Sequence, residues 1–149
     1  MNIEDLKETL SGSDHEEKIE ILSHLRDIFE SYNNSIDNIE GLIEWLLDFG
    51  IKEKNNEIKE EAFNTILTAA TYKEIDNINF DILAIQLDDL PESCLHYALT
   101  TLSFTFRKKY LPYLVKYANH ENAGVRADAL NAINEIEGYW KKKTNRQDR

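Results

Sequence analysis

The chain is short of the residues that staple or punctuate a fold. It has one cysteine, Cys94, among 149 residues, with five glycines and two prolines. A lone cysteine excludes an internal disulfide and fits a reducing compartment. So few turn residues exclude an all-β architecture, which needs many, whereas a helical fold manages with few. Long apolar runs are also missing. The longest uncharged run, Ser93 to Phe106, contains Ser, Thr and His and is too short to cross a bilayer. Met1-Asn2-Ile3-Glu4-Asp5 has no basic stretch leading into an apolar one, so no secretory signal is expected there. The resulting expectation is a cytoplasmic protein with no membrane span.

What is present is a globular balance, with 42% hydrophobic residues in a length that suits one domain and one continuous core. The formal net charge is −11 and it is unevenly placed: −16 over residues 1–100 and +5 over 101–149. A field of this sign repels phosphate backbones and attracts basic proteins. Many of these acids individually do no more than keep the chain soluble.

Apolar residues recur at helical spacing along most of the chain. Ile3 to Leu10 predicts a short first helix, broken at Ser11-Gly12-Ser13-Asp14. Ser13-x-x-Glu16 fits a capping box, followed by a stripe of Ile19, Leu22, Leu25, Ile28, Phe29 and Tyr32 that should end near Ser31, before Asn33-Asn34. Asp37 or Asn38 can cap the next helix, which carries Leu42, Ile43, Leu46 and Leu47 and has Gly50 as its expected stop. Ile58, Ala62, Phe63, Ile66, Leu67 and Ala70 mark a helix to about Tyr72. Further helices are expected over 80–88, from Pro91 to about Phe106, over 108–117 with Pro112 in the first turn, and over 123–142. The last should turn Val125, Ala129, Leu130, Ile133 and Ile136 inward, with a frayed basic tail beyond it.

The strongest pattern is internal similarity. Glu61-Ala62-Phe63-Asn64-Thr65-Ile66 matches Tyr97-Ala98-Leu99-Thr100-Thr101-Leu102, which in turn matches Asp128-Ala129-Leu130-Asn131-Ala132-Ile133. In each, a small Ala admits a neighbouring helix and large residues fill a shared core. Each such helix follows another amphipathic helix, so the unit is a helix pair that buries its apolar face only by stacking. In the last pair, Tyr110-Leu111-Pro112-Tyr113-Leu114-Val115 precedes Asn119-His120-Glu121-Asn122-Ala123-Gly124-Val125-Arg126-Ala127-Asp128-Ala129-Leu130. An early Pro, a polar turn, then Val-Arg and Ala-Leu on the second helix resemble a HEAT repeat. The resemblance is good over 105–137 and degenerate over 39–104. It implies an all-α, HEAT-like α-α superhelix, a short solenoid of helix pairs. The expected layout is a single helical-repeat domain over 1–149, with capping helices in 1–35, pairs over 36–140 and a basic tail over 141–149. The alternative is an irregular helical bundle.

Catalytic and ligand-binding patterns are sparse. His15, His24, His96 and His120 are scattered, and Cys94-x-His96 lacks the two further ligands a metal site needs. No Gly-rich phosphate loop occurs. Glu16-Glu17, Glu60-Glu61 and Asp88-Asp89 are adjacent carboxylates of the kind usually solvated on a helix face, whereas acid–base catalysis needs unlike environments in a cleft. The expectation is therefore no enzyme, no cofactor and no metal. Arg107-Lys108-Lys109 and Lys141-Lys142-Lys143, with Tyr110 and Trp140 nearby, are the only nucleic-acid-like features, and the acidic remainder argues against that partner.

HEAT-like arrays line a concave surface with the second helix of each pair. By that resemblance the candidate partner-binding residues are Glu57, Glu60, Glu61, Asn64, His96, Thr100, Asp128, Asn131 and Glu135. Trp45, flanked by Glu44 and Asp48, is added as a candidate aromatic anchor. A short, acidic, helical protein also resembles the immunity proteins of bacterial polymorphic and contact-dependent toxin systems. That resemblance implies a basic toxin domain, such as a nuclease, as the partner. A scaffold for another complex, or a HEAT-like nucleic-acid-processing protein, is the alternative.

Overall fold

Asparagine and aspartate side chains set where most of the helices begin. In the computed structural model, which describes residues 1–32 and 36–147, Asn2 accepts the backbone N–H of Glu4 at 2.9 Å and opens α1, Ile3–Ser11. Asp14 accepts from Glu17 and opens α2, His15–Glu30. Asn38 accepts from Gly41 and opens α3, Ile39–Lys52. Asn55 accepts from Ile58 and opens α4, Asn56–Tyr72. Each such cap satisfies one donor that the first turn leaves over. Then follow α5, Asp81–Gln86, continued by a 3-10 turn over Leu87–Asp89, and α6, Glu92–Phe104, directly after Pro91. The segment after it alternates, with a 3-10 turn over Lys108–Tyr110, α7 over Leu111–Val115 and a second 3-10 turn over Lys116–Asn119. Asn122 caps the long α8, Ala123–Gln147. No strand occurs among the described residues, so the chain is all-α.

Several expectations need correction. The cap of α2 is Asp14 with Glu17, one residue past the expected box at Ser13. Tyr32 is fully exposed rather than part of the α2 stripe, although α2 ends where expected, with Ser31 as its cap; Asn33 and Asn34 lie outside the described residues. Gly50 does not end α3. It is buried inside that helix, where a Cβ would meet Cζ of Phe63 at 3.3 Å, so its role is to let α3 and α4 approach. The helix expected to run to Phe106 ends at Phe104, because Phe106 takes a left-handed φ of 54°. Leu130 is 48% exposed, whereas its counterparts Phe63 and Leu99 are fully buried. Ala132 takes the inward place, giving α8 a stripe of Val125, Ala129, Ala132 and Ile136. Beyond Trp140 the chain stays helical to Gln147 instead of fraying.

The chain divides into two compact units, 1–79 and 80–149. In the first, α1 packs on α2, α3 on α4, and α2 on α4. Leu6, Leu22, Leu25, Phe29, Ile43, Leu46, Ala62, Phe63 and Ile66 form its core. Polar side chains reinforce the α2–α4 contact. Arg26 meets Glu61 at 2.7 Å while donating to the Thr65 hydroxyl at 3.1 Å, and Lys18 of α2 also pairs at 3.4 Å with the nearly buried Glu53, which follows α3. The Arg26–Glu61 contact is close enough for an ion pair but is not aligned as a hydrogen bond at the buried carboxylate oxygen. The buried Lys59 ammonium donates to the carbonyls of Ile51 and Glu53, closing the C-terminal end of α3.

In the second unit, α6 packs on α8, and α7 on α8. Cys94, Leu95, Ala98, Leu99 and Leu102 meet Ala129, Ala132 and Ile136 in its core. Here the first helices of the pairs are joined by a motif that repeats. Asp81 accepts from the Tyr110 hydroxyl at 2.8 Å and pairs with Lys109 at 2.8 Å. Asp88, Lys116 and Tyr117, each seven residues further on, make the same clasp. The buried Tyr110 oxygen also accepts the backbone N–H of Phe80.

Candidate functional site

Helix periodicity decides which of the expected binding residues can meet. On α6, His96, Thr100 and Ser103 share a face, and on α8 so do Asp128, Asn131 and Glu135. Because α6 lies on α8, these two polar rows border one groove of about 400 Å³, with Phe104 and Phe106 at one end. His96, Thr100, Asp128, Asn131 and Glu135, half of the expected set, are therefore brought together. His96 Nδ1 lies 3.1 Å from Asp128 Oδ2 across the groove. Such a contact can orient an imidazole, but no hydroxyl among the described residues is hydrogen-bonded to His96. The Ser103 hydroxyl donates instead to the Thr100 carbonyl at 2.6 Å. The groove offers donors, acceptors and two carboxylates to a partner, and no assembled nucleophile.

The expected residues of the first unit are more dispersed. Glu57, at the start of α4, is exposed and bonded to His15 of α2 at 3.0 Å. It borders a broad depression along the α2 face, of about 900 Å³, with Glu16, Glu20, Asp27, His15 and His24. Four carboxylates and no lysine or arginine line it. Glu20 and Asp27 on α2 are not among the sequence candidates, and Glu16 enters there only as a capping and solvated carboxylate. The detectable signal was their recurrence at helical spacing on the polar side of the Leu22–Leu25–Phe29 stripe. Glu61, one turn further along the same face of α4, is committed to Arg26 of α2, and Asn64 is half-buried beside it. Glu60 is half-buried. Trp45 is half-buried, stacked on Phe49 with centroids 5.7 Å apart, and has the Lys7 ammonium 5.8 Å from its ring. It does not border the acidic depression.

The two units differ sharply in charge. Residues 1–79 carry 19 acids against 7 bases, and residues 80–149 carry 9 against 10. The clasps of the second unit shift the titration of their own members. The Lys109 ammonium and the Tyr110 hydroxyl hold the Asp81 carboxyl below its ordinary range, and Lys116 and Tyr117 do the same to Asp88. Burial, then the bond to the carboxylate, pushes both Tyr110 and Tyr117 upward. Asp81 in turn raises Lys109. These are carboxylates paired with cations, a pattern that structural ion pairs produce as readily as catalysis does.

Among the described residues, no three His, Cys, Asp or Glu side chains converge as metal ligands would. Cys94 is buried and His96 exposed, so the two do not share a face. No helix among the described residues is long and apolar enough to cross a membrane. Compared with family models, curated proteins and solved structures, the chain matches none.

Proposed function

We propose that this chain is a protein-binding module of the HEAT-like kind, with helix pairs whose second helices carry the binding face, and that it serves as an immunity protein. On this reading it acts in the cytoplasm, where it captures a basic toxin domain and covers the surface that domain needs. A nuclease is the apt case, because its phosphate-binding cleft is basic and an acidic protein can fill it. The observation that carries the reading is the depression along α2 and the start of α4, lined by Glu16, Glu20, Asp27 and Glu57 with no lysine or arginine. It lies in a unit with 12 more acids than bases. A focused field of that sign accelerates encounter with a cationic partner and disfavours nucleic acid at the same face. The pairing within each unit, α2 on α4 and α6 on α8, is also what stacked helix pairs require.

The test is affinity capture from the source cell, followed by association kinetics with the captured partner. Glu16→Lys, Glu20→Lys and Glu57→Lys together should slow association about tenfold or more at low salt, with a smaller effect as salt rises. A partner that is not basic, or a rate indifferent to both reversal and salt, sinks the acidic-face reading.

The scaffold reading has its own supporting observation, the separate α6–α8 groove with His96, Asp128 and Glu135. A partner lost on Asp128→Lys and Glu135→Lys, and kept on reversal of the α2 residues, would favour it.

A further inference from the structure

Two basic runs far apart in the sequence meet beside α8. Lys108, just after the left-handed Phe106, places its ammonium 4.8 Å from the centre of the Trp140 ring. Lys143 lies 5.0 Å from the Tyr139 ring and 5.6 Å from that of Trp140. The Trp140 indole N–H donates to the Phe106 carbonyl at 2.7 Å, and Phe106 stacks on Tyr139 at 4.7 Å, so the aromatic group is fixed from both sides. Beside it is a concavity of about 530 Å³ walled by Lys108, Leu111, Glu137, Trp140, Lys141 and Asn145.

The cations here differ from those elsewhere in the second unit. Lys109 and Lys116 are taken up by Asp81 and Asp88. Among the described residues, Lys108, Lys141, Lys142, Lys143 and Arg146 have no carboxylate within ion-pairing distance, although Glu137 lines the same concavity. Lysines in the last turns of a helix are favoured by its dipole wherever they occur. Lys108 is outside that helix, and it is held over the indole rather than over a carbonyl.

We propose that this patch binds single-stranded nucleic acid, with the sugar–phosphate chain on the unpaired lysines and one base in the concavity against Leu111 and Trp140. Fixed aromatics interleaved with unpaired cations are the recurring chemistry of single-strand sites. A flat bilayer would call for projecting aromatics, whereas Tyr139 and Trp140 are half-buried. The acidic face of a second copy would satisfy the charge and leave the concavity empty. The site is distinct from the acidic depression and does not depend on its function.

The test uses the full chain and a fluorescein-labelled 12-nucleotide oligothymidylate, with oligouridylate of the same length beside it, read by fluorescence anisotropy. Saturable binding at 50 mM salt should weaken about 20- to 130-fold by 200 mM, as expected when three to five phosphates are neutralised at ~0.7 counterion each. Lys108→Glu with Lys141→Glu should weaken binding at least tenfold while the melting curve is unchanged, and the Gln pair at the same positions should do so to a lesser degree. Lys54→Glu, in the first unit, should leave binding intact. The proposal is overturned by no binding at 50 mM salt, by equal loss in the Lys54 variant, or by no loss in the Lys108/Lys141 variants. Binding at least as tight to a 12-base-pair duplex, to phosphatidylserine vesicles alone, or to a second copy detected by sedimentation would overturn it equally.

Discussion

The two units hold neighbouring helix pairs together at different places and with different chemistry. In residues 1–79 the polar locks fix α2 to the following pair: His15 to Glu57 and Arg26 to Glu61 and Thr65 on α4, and Lys18 to Glu53 between α3 and α4. In residues 80–149 the second helices meet through an apolar core with one polar contact at its edge, His96 to Asp128, and the first helices are held by two Asp–Lys–Tyr clasps. The locks leave Glu16, Glu20 and Asp27 free on the α2 face, whereas Asp81 and Asp88 are taken up by lysines and phenols.

The largest expected effect tests the apolar half of that contrast. Ala129 is fully buried between α8 and α6. Ala129→Asp should cost about 3–5 kcal/mol, as an unpaired buried charge does, read by chemical denaturation. The repeat makes Ala62–Phe63 and Ala129–Leu130 equivalent, but their burial does not. Phe63→Ala should cost about 3–5 kcal/mol and Leu130→Ala under ~1 kcal/mol. Similar losses at the two positions would restore the sequence equivalence and refute the observed register of α8.

That pair of residues also marks how far the sequence can be read. Helix number, most helix bounds and the buried stripes of α2, α3, α4 and α6 follow from periodicity and from Asn or Asp caps. The register of α8 does not, because Ala-Leu-Asn-Ala-Ile offers two stripes with similar hydrophobicity, and only the neighbour's shape selects the one through Ala132. The groove set on α6 and α8 was legible, since residues three and four apart must share a face. The acidic residues on α2 are not legible as a site, because the repeat resemblance begins at residue 39 and points to no second helix before α4. The clasps were visible as Asp81 and Asp88 against Lys109-Tyr110 and Lys116-Tyr117, a seven-residue echo whose meaning appears only when α5 and α7 are placed together. Gly50 is ambiguous in the sequence because a helix stop and a close approach both call for glycine.

The clasps should give the second unit a distinctive pH response. Asp81 and Asp88 titrate below the ordinary aspartate value of 3.8, so the stability they contribute is present above that value and is lost as pH falls through their lowered ones. Tyr110 and Tyr117 titrate above the ordinary tyrosine value of 10.0, so their contribution is intact below 10.0 and is lost as pH rises beyond it. Hydrogen exchange along α5 and α7 should accelerate at both extremes. Tyr110→Phe should cost about 1–3 kcal/mol, since it leaves the Phe80 N–H and Asp81 without the phenol, and with Tyr117→Phe it should remove the alkaline loss. An unchanged alkaline limb in the double variant would show that other groups cause it.

In the first unit, Arg26→Gln should cost about 1–2 kcal/mol, because the part-buried Glu61 loses its counter-charge. Its effect should be concentrated on exchange in α2 and α4, and a loss confined elsewhere would contradict the lock.

The smallest contrast concerns two helix-interior glycines. Gly138→Ala meets nothing within 4 Å and should raise stability by about 0.5–1 kcal/mol through helix propensity alone. Gly50→Ala should forfeit that gain and fall slightly below the parent, because the buried Phe63 ring cannot retreat from the added methyl group. Equal gains at both positions would show that α3 and α4 have room between them.

The seven-residue echo has a consequence for assembly of the second unit. One clasp would identify α7 as the neighbour of α5 without fixing how far along it α5 sits. Slide one segment by seven residues, and Asp88 arrives opposite Lys109 and Tyr110 with its bonds restored. Asp81 then loses Lys109 and Tyr110, and Lys116 and Tyr117 lose Asp88. The repeated pattern thus creates a decoy alignment and also penalises it. The second clasp acts as a check on the first, and the correct alignment is the one in which both close.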